Sequence, residues 1–205
     1  SNSNPQSVYY PGSGIIYKLE QIGLSNVNQL PIYAVKLSYD ANLDSDKPRV
    51  LILGQCHAEE IYGVEMSMAL IEMFLDPSLL GADGYEYLPD PNDVNPYIIL
   101  RNILSRIEIW IVPTHNPDGL QLVHGYDESG QWMQDISYRK NFTDADGNGV
   151  FEFIPYALGS LNAGNDLDGV DLNRNYDFHF GYGGPAGDLH VEDDYQSCNF
   201  GEYSS

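Results

Sequence analysis

Four short apolar segments in the first part of the chain predict β-strands. They are residues 15–22, 31–39, 49–54 and 108–113. Continuous or alternating aliphatic runs of this length are typical of strands in a buried or half-buried sheet. Segment 49–54 contains an unbroken aliphatic stretch, so we expect it to be a buried strand.

The pattern changes between the third and fourth predicted strands. Apolar side chains there recur at steps of three and four residues, which gives a helix one apolar face: Ile61, Val64, Met68, Ile71 and Leu75. Asp76-Pro77 predicts the end of this helix, and residues 95–107 predict a second one. Strands that alternate with helices indicate the α/β class. We therefore expect a mixed, largely buried β-sheet flanked by helices.

Composition and charge exclude several classes of protein. The chain has 205 residues, 42% of them hydrophobic, which suits one folded domain and argues against disorder. Nine Lys and Arg residues against 30 Asp and Glu residues give a formal net charge of −21. Such a chain repels nucleic acid and anionic membrane surfaces, so we expect neither as a partner. No apolar run is long enough to span a bilayer.

The first motif with candidate chemistry directly follows the third predicted strand. His57 and Glu60 are three residues apart at a strand-to-helix junction. Imidazole nitrogen and carboxylate oxygen are both good zinc ligands, and a catalytic zinc takes three protein ligands and a water. The motif supplies two of the three. On its own the pattern is equally typical of a helix N-terminus that favours acidic side chains.

Two further motifs are modest when each is taken alone. Asn116-Pro117-Asp118-Gly119 follows the fourth strand and is typical of a tight turn. The segment 169–176 contains the pair Asn173-Arg174. The planar guanidinium of an arginine binds a carboxylate through two parallel hydrogen bonds, and an adjacent asparagine adds a donor. An isolated pair of this kind usually makes structural hydrogen bonds.

Taken together in this order, the three motifs resemble the zinc metallocarboxypeptidase family of the carboxypeptidase A and T type. Residues 138–141, Tyr-Arg-Lys-Asn, are similar to that family's aromatic-Arg-Lys-Asn segment. The resemblance runs from about residue 15 to residue 205, and it corresponds to the N-terminal half of the catalytic domain. We therefore expect 1–205 to be a partial zinc carboxypeptidase catalytic domain.

The resemblance implies a role for each matching residue. His57 and Glu60 would bind zinc, which would activate water and polarise the scissile carbonyl. Arg139 would polarise that carbonyl and stabilise the oxyanion. Asn173 and Arg174 would hold the free α-carboxylate of the substrate. The implied activity is release of C-terminal residues from peptides or proteins by a secreted, zinc-dependent exopeptidase.

The family also needs residues that no motif here matches: a third zinc ligand, which is a His, a Tyr that closes over the substrate, and a Glu as general base. None of the other histidines has the family's Ser-x-His-Ser context; they are His115, His124, His179 and His190. We expect a domain that is incomplete at its C-terminus and exposes a sheet edge and part of its core. Its expected partner is the missing C-terminal half or another chain.

Two alternatives to an active enzyme stay open. The first is a catalytically inactive module that still binds a peptide carboxylate through Asn173 and Arg174. The second is a structural or self-assembling protein built on the carboxypeptidase fold. Matching motifs favour descent from an active enzyme, but a fold alone does not establish activity.

A polar segment predicts a calcium site. Oxygen-bearing side chains recur there with glycines for a sharp turn: Asp144, Asp146, Asn148 and Glu152. The twelfth position of the loop is Pro155, where an EF-hand needs Glu, so Asp166 and Asp168 would have to complete a different kind of site. The alternative is a polar turn; we expect a structural calcium.

The two cysteines of the chain, Cys56 and Cys198, leave three interpretations open. They could form a disulfide. Cys56 could instead be a soft metal ligand beside His57, or a small buried residue.

Overall fold

The computed structural model describes residues 10, 12–77, 96–144, 147–149 and 168–174. These residues form strands, three helices and a final turn of 3₁₀ helix. In chain order the elements are β1 (Tyr17–Leu24), β2 (Pro31–Leu37), β3 (Arg49–Gln55), α1 (Tyr62–Leu75), α2 (Pro96–Arg106), β4 (Glu108–Thr114), α3 (Pro117–His124), β5 (Tyr126–Glu128), β6 (Gln131–Met133) and the 3₁₀ turn (Leu172–Arg174). The predicted α/β class is confirmed, with a mixed sheet and flanking helices.

The four predicted strands form one sheet in the order β1-β2-β4-β3. β2 and β4 are antiparallel, with Val35 opposite Ile111 and Leu37 opposite Ile109. β4 is largely buried, and β2 is buried in its second half. A second, two-stranded sheet pairs β5 with β6 in antiparallel register.

The prediction that segment 49–54 is a buried strand is wrong. Val50, Leu51 and Leu53 are exposed, and Leu51 keeps 62% of its surface accessible. The physical reason is position: among the described strands, β3 is the last in the sheet and has a neighbour on one side only. An aliphatic run indicates that a strand can be buried, but it carries no information about what covers it. An uncovered apolar edge is also what a partial domain is expected to have.

The chain divides into two compact units, each with its own apolar cluster. The first unit contains most of the main sheet with α1 and α2. Tyr10 lies in its core, donates a hydrogen bond to Phe74 O at 2.5 Å and packs edge-on against Tyr39. The buried members of this cluster are Tyr10, Ile16, Leu37, Ile71, Phe74, Leu100, Leu104, Ile109 and Ile111.

The second unit contains α3, the small sheet and the segments that follow β3 and β4. Its cluster is smaller and consists of Ala58, Leu122, Val123, Tyr138 and Phe142. Tyr138 and Phe142 pack edge to face, with ring centroids 5.5 Å apart. Every residue of the candidate site belongs to this unit.

None of the helices in the described ranges has the length and apolar character needed to cross a membrane.

Candidate metal and active site

The site is built on the segments that leave β3 and β4. Thr114, the last residue of β4, donates a hydrogen bond through Oγ1 to Gln55 Oε1 at 2.6 Å, and Gln55 ends β3. Gln55 Nε2 in turn donates to Ala58 O at 2.6 Å. A buried glutamine side chain therefore fixes the backbone of the segment that contains His57.

Asn116 ties three segments together. Its Nδ2 donates to Cys56 O at 3.1 Å and to Lys140 O at 2.9 Å, and its Oδ1 accepts from Gly119 N at 3.1 Å. The last bond makes Asn116 the N-cap of α3, with Pro117 in the first helical position. The interpretation of residues 116–119 as a tight turn is therefore wrong, because these residues are the N-cap and first residues of helix α3.

Gly119 is required by close packing. A Cβ at this position would lie 2.7 Å from Ala58 Cβ and 2.9 Å from the Asn116 amide, closer than real Cβ contacts. Asp118 is buried beside it and accepts a hydrogen bond from Ser25 Oγ at 2.8 Å. Burial raises the pKa of Asp118 against the opposing effect of this hydrogen bond. The motif thus positions the segment that contains His57.

Two paired stretches of chain bring Asp171 to Arg139. Gly169 N donates to Thr143 O at 2.8 Å, and Asn141 N donates to Val170 O at 3.1 Å. On the other side, Ala58 N donates to Arg139 O at 3.0 Å. The segments around residues 58, 139–143 and 169–171 therefore hold one another through backbone hydrogen bonds.

His57 is buried and has two distinct surroundings. Its Nε2 lies 3.0 Å from Asp171 Oδ1. An ionised carboxylate only accepts, so Nε2 carries a proton. Nδ1 is buried without a hydrogen-bond partner and lies 3.2 Å from Glu60 Oε2. The structure therefore brings the two predicted ligands together.

This arrangement fits a zinc ion. With Zn–N and Zn–O bonds near 2.0–2.2 Å, two ligands of a tetrahedral zinc lie about 3.4 Å apart. The observed N···O separation is 3.2 Å. Asp171 supplies the carboxylate that metal-bound histidines usually have on their second nitrogen. Within the described ranges, however, no group of three or more His, Cys, Asp or Glu side chains could hold a metal, so a third ligand has to come from elsewhere.

The carboxylate of Asp171 is oriented by several contacts at once. It accepts from Asn173 N at 2.9 Å and from Arg139 Nε at 3.3 Å, in addition to His57. Burial alone would raise the pKa of Asp171, but the bonds from His57 and Asn173 and the charge of Arg139 lower it below its usual value. Asp171 is therefore ionised at neutral pH and fixes the ring of His57.

Arg139 lies among carboxylates. Nη1 donates to Glu59 Oε1 at 2.8 Å and lies 3.6 Å from Glu60 Oε1. Burial alone would lower the pKa of Arg139, but its bonds to Glu59 and Asp171 raise it. The predicted oxyanion-stabilising residue thus lies beside the predicted zinc ligand Glu60 and shares the carboxylate of Asp171 with His57.

Asn173 and Arg174 belong to the 3₁₀ turn that directly follows Asp171. Asn173 is exposed, and its backbone N–H is bonded to Asp171. The predicted carboxylate-binding pair therefore lies in the turn that directly follows Asp171, the residue that orients His57.

The predicted calcium loop is only partly described. Asp144 Oδ1 accepts from Gly147 N at 2.8 Å and from Asn148 N at 3.1 Å, while Oδ2 accepts from Gly149 N at 2.6 Å. Asp146 and Glu152 lie outside the described residues, as do Cys198, His179 and His190. Calcium and the disulfide stay predictions.

Sequence reasoning missed three residues of this site: Glu59, His115 and Asp171. In the described ranges, the buried side-chain polar atoms without a hydrogen-bond partner all belong to three residues: His57, Glu59 and His115. Burial, and then the neighbouring His57, lowers the pKa of His115, so its ring is neutral. Unsatisfied buried groups are rare in folded proteins, so their concentration here makes this region the candidate ligand site. The only sequence signal for Asp171 was its place in the same motif as Asn173.

The chain belongs to the zinc carboxypeptidase family, which it matches over residues 13–202. It is 28% identical to a zinc carboxypeptidase of Saccharothrix mutabilis subsp. capreolus over 167 residues, which are 81% of this chain and 29% of that protein. Similar solved structures include thrombin activatable fibrinolysis inhibitor (19% identity, 84% of this chain and 31% of that one, TM-score 0.49). Carboxypeptidase A from Helicoverpa armigera is another (22% identity, 83% and 30%, TM-score 0.46). The chain thus spans about a third of the length of these proteins.

Proposed function

We propose that this chain is the N-terminal part of the catalytic domain of a zinc-dependent exopeptidase that releases C-terminal residues from peptides or proteins. One observation carries the proposal. His57 Nδ1 is buried, has no hydrogen-bond partner and lies 3.2 Å from Glu60 Oε2, while Nε2 is held by Asp171. An imidazole whose second nitrogen is held by a carboxylate has the orientation that metal-bound histidines usually have.

Charge also supports a divalent cation. Glu59, Glu60 and Asp171 bring three carboxylates to one place, and Arg139 is the cation that pairs with them. With a neutral His57 the formal charge of this group is −2, which Zn²⁺ offsets. When bound, zinc supplies Lewis acidity and lowers the pKa of a bound water.

The residues of the chain would divide the remaining work. Asp171 holds His57 in the tautomer and orientation that the metal needs. Arg139 offers a fixed positive charge to the carbonyl oxygen of the scissile bond as negative charge develops there. Asn173 and Arg174 bind the terminal α-carboxylate, which restricts cleavage to chain ends.

The third zinc ligand and the general base would come from residues outside the described ranges or from another polypeptide. We propose that the C-terminal half of the domain, on the same or a separate chain, also covers β3. The exposed side chains of Val50, Leu51 and Leu53 support this, because an uncovered apolar edge strand favours association. The family resemblance further favours a secreted protein, and the loop at 144–152 a structural calcium.

A catalytically inactive peptide-binding protein is the second candidate. The presence of only two metal-binding side chains at the described site favours it. It would keep the carboxylate contacts of Asn173 and Arg174 without hydrolysis.

The test combines metal content with cleavage, on the full chain in its natural assembly. We expect close to one zinc per chain by elemental analysis, lost in His57→Ala and kept in the matched control His124→Ala, whose side chain is exposed. We expect a peptide with a free C-terminus to be shortened and the same peptide with an amidated C-terminus to resist. Zinc without cleavage, but with binding of the free-carboxylate peptide, would favour the second candidate. No zinc would reject the enzyme.

A further inference from the structure

Glu59 lies next to a predicted zinc ligand in the sequence, yet its carboxylate contacts Arg139. Its Oε1 accepts from Arg139 Nη1 at 2.8 Å, and its Oε2 is buried without a hydrogen-bond partner. None of the zinc and substrate contacts proposed above involves this residue. A carboxylate with a buried, unsatisfied oxygen is destabilising, so its presence here needs a reason.

Arg139 Nη1 lies near two carboxylates at unequal distances. Glu59 Oε1 is at 2.8 Å, whereas Glu60 Oε1 is at 3.6 Å, beyond hydrogen-bonding distance. The side chain of Glu60 is 57% exposed and that of Glu59 is 25% exposed, so Glu60 is less constrained by its surroundings. The short contact to Glu59 holds the guanidinium where its contact with Glu60 is weak.

We propose that Glu59 is a positioning residue that prevents Arg139 from hydrogen bonding to Glu60, with which it makes only a longer ion pair, and so keeps Glu60 available for zinc. The proposal rests on the proposed function, because it takes His57 and Glu60 as the metal ligands. Arg139 Nε is held by Asp171 at 3.3 Å, so Glu59 and Asp171 fix two nitrogens of the same planar group. A guanidinium held in this way is pre-organised and does not need a third carboxylate.

Loss of Glu59 changes the competition for Glu60. Arg139 Nη1 loses its 2.8 Å partner, and Glu60 Oε1 is the carboxylate oxygen already placed 3.6 Å away. Because the Glu60 side chain is more than half exposed, it can turn towards the guanidinium at small cost. An ion pair between Glu60 and Arg139 then has to be broken before zinc binds.

A simpler effect has to be separated from this one. Glu59 is an anion near a cation site, so its removal weakens zinc binding by charge alone. The two explanations differ in their dependence on Arg139. Attraction by charge acts whether or not Arg139 is present, whereas competition for Glu60 needs it.

The test is a double-mutant cycle on zinc affinity, measured on the full chain by competition with a chromophoric chelator. The variants are Glu59→Gln, Arg139→Gln and the double variant, with Glu65→Gln as a matched control for charge, since Glu65 is exposed in the first turn of α1. Coupling within one charged network is typically about 0.5–3 kcal/mol, or roughly 2- to 150-fold. We expect Glu59→Gln to weaken zinc binding about tenfold when Arg139 is present and less than about twofold in the Arg139→Gln background.

Each outcome decides the matter. An equal loss in both backgrounds, or no loss in Glu59→Gln, overturns the role of Glu59 and leaves the proposed function standing. A wild-type chain that binds no zinc overturns both proposals. Circular dichroism of each variant shows whether the fold is kept, and Glu59→Asp, which restores the charge, should recover part of the affinity.

Discussion

Two groups of charged residues in this chain differ in composition and in how completely their polar atoms are hydrogen-bonded. In the first unit, buried Glu108 accepts from Lys36 at 2.8 Å, from Arg49 at 2.9 Å and from Ser45 at 2.7 Å. In the second unit, Arg139 lies among Glu59, Glu60 and Asp171, and buried polar atoms stay unpaired around it. An ionic group whose polar atoms are all hydrogen-bonded needs no further partner. A group with unpaired buried atoms needs a ligand.

The difference is also visible at one residue of each group, Glu108 in the first and His57 in the second. Burial alone would raise the pKa of Glu108, but the hydrogen bonds from Lys36, Ser45, Arg49 and Trp110 lower it to about 2. All of these hydrogen bonds, which stabilise the ionised form of Glu108, come from other residues of the protein. At His57, by contrast, one nitrogen is bonded to Asp171 and the other lies 3.2 Å from Glu60 without a hydrogen bond. The first group therefore stabilises the fold, and the second is suited to the binding proposed above.

Strong acid should break the first group, because protonation of Glu108 removes the negative charge that its partners bind. The pKa of Glu108 is about 2 in the folded chain against an ordinary value of 4.5. A lowered pKa contributes stability that is complete above about pH 5 and is lost as the pH falls towards 2. The difference of about 2.5 units corresponds to roughly 3 kcal/mol. Denaturant unfolding from pH 6 to pH 2 measures this loss.

The control separates Glu108 from the other acidic residues of the chain. Glu108→Gln should remove about that much of the pH dependence, whereas Glu20→Gln, at a largely exposed ion pair with Lys18, should leave it almost unchanged. Identical pH profiles for wild type and Glu108→Gln would show that this carboxylate contributes no acid sensitivity.

Asp171→Asn tests the incomplete group. Removing a carboxylate that orients a metal-bound histidine typically costs about 10- to 100-fold in metal affinity. We expect zinc binding to weaken by a factor in this range, because an amide neither fixes the protonated Nε2 as firmly nor raises the basicity of Nδ1. Competition with a chelator measures the affinity. Asp127→Asn, in the exposed part of strand β5, is the matched control, and unchanged zinc affinity in Asp171→Asn would show that His57 does not bind zinc through this arrangement.

Local patterns predicted the parts of the fold and site that depend on neighbours in sequence. Aliphatic runs correctly predicted β2 and β4. His57 and Glu60, which are three residues apart in the sequence, lie 3.2 Å apart in the structure. The exposure of β3 could not be predicted, because a strand's pattern does not say what covers it. α3 was missed because Pro and Gly in one short motif suggest a turn when the capping bonds of Asn116 are unknown.

Several contacts that orient the candidate site residues join positions that are distant in sequence. His57 meets Asp171 across 114 positions, and Arg139 meets Glu59 across 80. No local spacing encodes such pairs; they follow from the backbone pairing of residues 141–143 with 169–170. The unsatisfied atoms of Glu59 and His115 are likewise a property of the packed structure, so they could not be found from the sequence.

Calcium binding is the prediction with the smallest expected effect, and it tests the comparison most sharply. The pattern of oxygen-bearing residues at 144–152 predicts a weak structural site. With a dissociation constant of about 0.1–1 mM, as in extracellular modules, 1 mM calcium would stabilise the fold by roughly 0.4–1.4 kcal/mol. Thermal unfolding with and without calcium measures this, together with calorimetric titration.

Asp144 already accepts hydrogen bonds from the backbone of Gly147, Asn148 and Gly149. By the rule that separates the two charged groups, a carboxylate satisfied in this way needs no ligand, which is the opposite of what the sequence pattern predicts. If titration with calcium gives heat in the wild-type chain and none in Asp144→Asn, a carboxylate that is already hydrogen-bonded can still join a metal site. Unpaired buried atoms would then be a sufficient but not a necessary sign of a metal site. No heat at millimolar calcium would reject the calcium site and extend the rule from the two charged groups to this loop.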